Sequence, residues 1–232
     1  MEKDKEYIEK RFSWVKRSRT FKNIVRRFNL SNKKVLDIGC GDGHYLTHFG
    51  KGSVGVTTSL IEVEGSNNKN INIVLGNAEE IEKIDMKKDF DVIWANNLFE
   101  HLLSPHAFLM KLKNFSHSDT ILILGVPVVP FPSVLSRLPK FRGSLASPHI
   151  NFFTKKTLQH TIERAGWEIL ETRSFFFKLS LVDWCASVFM PHIYIVAKNK
   201  KDFLYPTKKV MEWKDMEYYR DILAITGQEE NK

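Results

Sequence analysis

The chain has 232 residues and a net charge of +8, with 43% hydrophobic and 27% charged residues. That length buries a large core without staples, and that composition excludes a disordered, collagen-like or coiled-coil chain. Two cysteines, Cys40 and Cys185, rule out a disulfide framework and a four-cysteine zinc site, and point to a reducing compartment.

Residues 1–34 hold twelve Lys/Arg and four Asp/Glu, leaving 23 of each in the remainder, so the basic excess is confined to the N-terminus. The opening MEKDKEY has no apolar stretch of a secretion signal, and no later segment offers the roughly 18 uninterrupted apolar residues of a membrane span. The nearest candidate, 175–196, is broken by Lys178, Asp183, Pro191 and His192 and reads as core strand and helix. A cytoplasmic location is expected.

Ile8, Phe12 and Val15, then Phe21, Ile24, Val25 and Phe28, recur at three- and four-residue spacing, which predicts one or two amphipathic helices. Residues 1–32 thus form a basic helical cap, either packed on the domain or facing an anionic surface. From 33 the pattern changes to short, β-branched apolar runs at 34–38, 53–57, 71–75, 90–95 and 120–126. Runs of this kind suit strands covered on both faces. Helices are expected between them at 43–49, 78–84 and 105–115, which makes repeated βα units and a doubly wound, mostly parallel α/β sheet with helices on both faces. Five of the eight prolines fall between 127 and 149, which reads as a lid leaving the fifth strand. Thr154 looks like the N-cap of a helix closed by Gly166, two further strands are expected in 167–177 and 189–197, and 207–225 reads as a terminal helix. The domain proper is thus 33–198, with a helical extension at 199–232.

The most informative stretch is VLDIGCGDG at 35–43, a buried strand running into Gly39, Gly41 and Gly43. Glycines at alternate positions permit a tight turn and let a ligand lie against bare backbone. These residues resemble the first motif of class I S-adenosylmethionine-dependent methyltransferases, whose spacing differs from the G-x-G-x-x-G of dehydrogenases. FDVIWANNLFEHL at 90–102 is similar to the fourth-strand motif of that family's small-molecule branch, and 149–170 to the segment after its lid. The resemblance spans 33–197 and implies a Rossmann-like, seven-stranded fold.

It also implies that Asp37, Gly39, Cys40 and Gly41, with Gly43 completing the loop, surround the methionine end of S-adenosylmethionine. The family's second strand usually closes on an acidic ribose ligand, but here it ends in Thr57 and Thr58. Either ribose binding is weaker, or Glu62 reaches in from the following turn. Asn77 and Ala78, with Glu79 beside them, match adenine-contacting positions, and Asn96 matches the strand exit near the sulfonium. The implied product is S-adenosylhomocysteine, and no metal is expected. His101 and His149 are the two candidate bases, each with a structural role as the equal alternative.

His44 and His48 have zinc-like spacing, but no third ligand is evident. The apolar residues of the lid suggest an apolar acceptor or a membrane-facing rim. The expected function is methyl transfer to a small-molecule acceptor, with peripheral contact to an anionic membrane. The alternatives are an RNA-directed methyltransferase, motivated by the basic arm, a non-catalytic binding module, and a nicotinamide dehydrogenase.

Overall fold

The computed structural model describes residues 5–67, 71–87, 89–142, 145 and 148–228. Two helices open the chain, α1 (Lys5–Arg17) and α2 (Arg19–Phe28). The Ser18 hydroxyl caps α2 by accepting from the Phe21 N–H, and Asn29 ends it in the left-handed conformation. Then follow β1 (Val35–Ile38), β2 (Val54–Thr57), α3 (Leu60–Asn67), β3 (Ile73–Leu75), β4 (Val92–Asn96), α4 (Pro105–Leu112) and β5 (Ile121–Pro127). The chain closes with α5 (Lys155–Arg164), β6 (Trp167–Arg173), α6 (Ser180–Ala186), β7 (His192–Asn199), α7 (Thr207–Trp213) and α8 (Glu217–Ile225).

The seven strands lie in the order β3-β2-β1-β4-β5-β7-β6, and β7 runs antiparallel to both its neighbours. Strand order reverses between β1 and β4, where an open α/β sheet offers its binding crevice. Side chains alternate across each strand and sort into two cores. Leu36, Ile38, Ile93, Leu122, Leu124 and Ile195 pack with Phe108 and Leu109 of α4, Leu158 and Ile162 of α5, and Ile222 and Leu223 of α8. Val35, Val92, Trp94, Ile123, Tyr194 and Val196 face the other way, onto Val15, Phe21 and Ile24 of the two opening helices. The Phe21 ring stands 5.8 Å from Trp94 and 4.9 Å from Tyr45, so an aromatic cluster holds α2 over β4. Beyond β6, the buried Asp183 carboxylate accepts from the Ser174 hydroxyl and the Phe175 and Phe177 N–H groups, which ties α6 to the preceding loop.

Several elements depart from expectation. The helix expected at 43–49 is one 3-10 turn, Leu46–His48, with Tyr45 at its N-cap position and preceded by Gly43 at φ 74. The one expected at 78–84 is also 3-10, kinked at Glu80. The terminal helix is broken in two between Trp213 and Glu217, and α3 was not anticipated. Thr154 does cap α5, in a reciprocal box with Thr157. No helix among the described residues is long and apolar enough to cross a membrane.

Candidate active site

The loop after β1 is tied to β2: the Gly39 and Cys40 N–H groups both donate to the Val56 carbonyl, at 2.9 and 3.0 Å. Gly41 sits at φ 55, and a Cβ built there would have only Glu62 Oε1 within 4 Å, at 3.8 Å. Bare backbone therefore faces a cavity of about 410 Å³, whose walls include Gly39, Gly41, Thr57, Thr58 and Glu62. Asn77, Ala78, Glu79, Leu98, His101 and Leu102 line it as well. Glu62, from the first turn of α3, is buried, and the Thr57 hydroxyl donates to its carboxylate. Asn77 caps the following turn by accepting from the Glu79 N–H.

A second cavity, of about 360 Å³, lies under α1. Tyr7, Lys10, Arg11 and Trp14 form its roof, over Gly39, His44, Tyr45, Asn96 and Asn97. Gly39 belongs to both cavities. The Asn96 amide donates to the Tyr45 hydroxyl at 3.0 Å, while its buried Oδ1 has no hydrogen-bond partner among the described residues. Glycine is required at 125, since a Cβ there would lie 2.1 Å from that oxygen. Asp37 is buried on β1, its Oδ2 also has no hydrogen-bond partner among the described residues, and burial raises its pKa to about 8.

Not every expected residue lines a cavity. Gly43 turns toward Ile71 and Ile73, and Cys40 packs with Leu46 and Ile73 beside Gly55. Burial, then the nearby Asp37 and Glu62 carboxylates, push the Cys40 thiol far above its usual range, which makes it a packing group rather than a nucleophile. His44 and His48 do not converge on a common site: His44 takes a hydrogen bond from Arg11, and His48 stands edge-on to Phe21.

His101 and His149 do meet. Their rings stand 5.0 Å apart, and each Nε2 approaches the same Glu100 oxygen, at 3.9 and 3.8 Å. Burial, and then His149, lower the His101 pKa, while burial raises that of Glu100. The end of the lid is clipped to this segment: the Ile150 and Asn151 N–H groups donate to the Glu100 carbonyl, and the Asn151 amide donates to that of Leu102 at 2.6 Å. Sequence reasoning missed Glu100, because it carries no local motif.

These residues fit S-adenosylmethionine. The cofactor carries a positive sulfonium and an ammonium, and the buried Asp37 Oδ2 and Asn96 Oδ1 are acceptors with no hydrogen-bond partner among the described residues. Its ribose hydroxyls need acceptors, and Glu62 puts a carboxylate in the cavity wall although β2 ends in threonine. Two cavities sharing a glycine match an elongated ligand lying along the sheet edge.

Comparison with known proteins agrees. A family model described as a methyltransferase domain matches residues 8–172. A tRNA U34 carboxymethyltransferase from Photobacterium profundum is 29% identical over 153 residues, 60% of this chain and 45% of that protein. The chain thus spans about half the length of the curated relatives it matches. A SAM-dependent methyltransferase from Thermotoga maritima superimposes with a TM-score of 0.58 at 16% identity, covering 84% of this chain and 96% of that one. One from Archaeoglobus fulgidus gives 0.54 at 20% identity, covering 84% and 100%. The chain belongs to the methyltransferase-domain family.

Proposed function

We propose that this enzyme methylates a small, amphiphilic acceptor presented at an anionic lipid surface. The observation that carries the reading is Gly39, which lines both the cavity beside Glu62 and the second one roofed by α1. The cofactor supplies an electrophilic methyl group on a positively charged sulfur. The chain's own work is to bind, align and shield. In this reading Glu62, held by Thr57, takes the ribose, and Asn77 and Ala78 flank the adenine. Gly39 and Gly41 let the cofactor lie against backbone, with Thr58 at the cavity rim. Asp37 and Asn96 face its charged end, while Tyr7 and Trp14 keep water from the acceptor. His101 and His149 are assigned to the acceptor's nucleophilic atom.

The lid and α6 support the lipid surface. Phe131, Val134 and Leu138 on the lid, and Leu179, Leu181 and Trp184 at α6, are exposed. The two segments are joined by the Phe131 N–H, which donates to the Val188 carbonyl. Arg137, Lys140 and Arg142 supply positive charge beside them. Apolar side chains flanked by cations suit the boundary of an anionic bilayer.

An RNA acceptor is the second reading, favoured by the tRNA-directed relatives and by the exposed Lys16, Arg17, Lys22 and Arg26 of α1 and α2. One experiment separates the two. The enzyme is incubated with methyl-tritiated S-adenosylmethionine, anionic vesicles carrying a total lipid extract, and total RNA. Label in the solvent-extractable fraction, with the protein sedimenting with vesicles at low salt, is the expected result. Label in RNA would overturn the small-molecule acceptor.

A further inference from the structure

We propose that Glu100, His101 and His149 form a binding site for a first-row divalent transition ion at the edge of the cofactor cavity. Among the described residues they are the one group of three such side chains whose ligand atoms converge, all within 4.8 Å of one another. Donors sharing one ion at about 2.1 Å each stand roughly 3.0–3.5 Å apart. The separations of 3.8 and 3.9 Å from Glu100 Oε1 to the two ring nitrogens close onto such an ion with a shift of about half an ångström.

A second, independent observation points to a ligand. Glu100 is fully buried, yet among the described residues neither carboxylate oxygen has a hydrogen-bond partner. A buried carboxylate left so costs several kcal/mol by desolvation, which a bound cation offsets. The arrangement is also held in place. His149 lies 48 positions after His101, and the hydrogen bonds from Ile150 and Asn151 to the Glu100 and Leu102 carbonyls bring it there. The chain thus fixes the backbone on both sides of the site before any ion arrives, as a preorganised centre requires.

Two imidazoles and one carboxylate favour zinc, manganese, iron or cobalt over magnesium or calcium, which prefer all-oxygen shells. Three protein ligands leave positions open, as catalytic centres do. His101 also lines the cofactor cavity, so the open positions take an acceptor oxygen beside the methyl donor. This role for the ion rests on the methyl-transfer reading above, although the binding site itself does not. The ion lowers the pKa of a bound hydroxyl, whose proton passes to water. The oxygen lone pair then forms the new O–CH3 bond while the S–CH3 bond breaks and its electron pair stays on sulfur. The acceptor class that follows is a hydroxyl compound, and the two histidines act on it as ligands rather than as bases.

The test uses cobalt(II) as a spectroscopic probe, without cofactor or acceptor, so it does not depend on turnover. Titration of the full chain with Co²⁺ should give one equivalent of visible ligand-field absorption, displaced by Zn²⁺. Glu100→Gln and His149→Ala should each weaken Co²⁺ binding by at least about tenfold, since even outer-shell partners are worth that much. His160→Ala, on the exposed side of α5, should leave it unchanged. Should Glu100→Gln fail to fold by circular dichroism, His149→Ala on the lid decides alone. No saturable Co²⁺ spectrum in the native chain, or an unchanged one in His149→Ala, would overturn the site while leaving methyl transfer to be judged by the tritium experiment.

Discussion

Gly41→Val is expected to weaken S-adenosylmethionine binding by at least about 100-fold, or ~2.7 kcal/mol, while the fold survives. Gly41 sits at φ 55, where a side chain costs roughly 1–2 kcal/mol, and a branched one is the worst fit. A Cβ there meets no core atom and only approaches Glu62 Oε1, so the added bulk projects into the cavity. The consequence divides cleanly. Melting temperature should fall by several degrees, as expected for backbone strain in a chain of this size, while cofactor binding disappears. Isothermal titration with S-adenosylhomocysteine, which is stable in the calorimeter, makes the comparison directly. Native-like affinity in this variant would mean that the cofactor lies elsewhere.

Glu62→Ala is expected to cost about 100-fold in the affinity for the same ligand. A carboxylate accepting two ribose hydroxyls makes charge-assisted hydrogen bonds worth roughly 1.5–3 kcal/mol each in a buried site. Glu62 is placed for this by the Thr57 hydroxyl, which donates to its carboxylate from the end of β2. The substitution lies in the first turn of a surface helix and leaves the two cores intact. An unchanged binding constant would leave Thr57 and Thr58 as the ribose contacts and show that the enzyme dispenses with a carboxylate there.

The sheet was legible because its strands are buried on both faces. Such strands leave continuous apolar runs, as in 34–38 and 120–126, and these locate β1 and β5 to within a residue. The glycine loop was equally plain, since a strand ending in Gly39 and Gly41 leaves little backbone alternative. The helices were less so. At 43–49 and 78–84 the segments are short enough for 3-10 hydrogen bonding to satisfy them, and nothing in an apolar pattern distinguishes that from an α-turn. Helix α3 went unseen because Leu60 and Ile61 are exposed and Gly65 interrupts its turn propensity. Of the site, the residues next to the glycine loop could be read from order along the chain. The rest depends on distant pieces meeting: α1 over Asn96, and the lid folding back on Glu100. Glu100 looked like a neighbour of His101 and nothing more, because its burial and its approach to His149 arise only when residues 150 and 151 dock.

The crevice between β1 and β4 is expected to bind S-adenosylmethionine through residues on both sides of Gly39. The most direct measurement is calorimetric titration of the native chain with S-adenosylmethionine, S-adenosylhomocysteine and NAD in parallel. The expected result is about micromolar, one-to-one binding of the first two and none of the third. Binding of NAD in their place, or of none of the three, would contradict it.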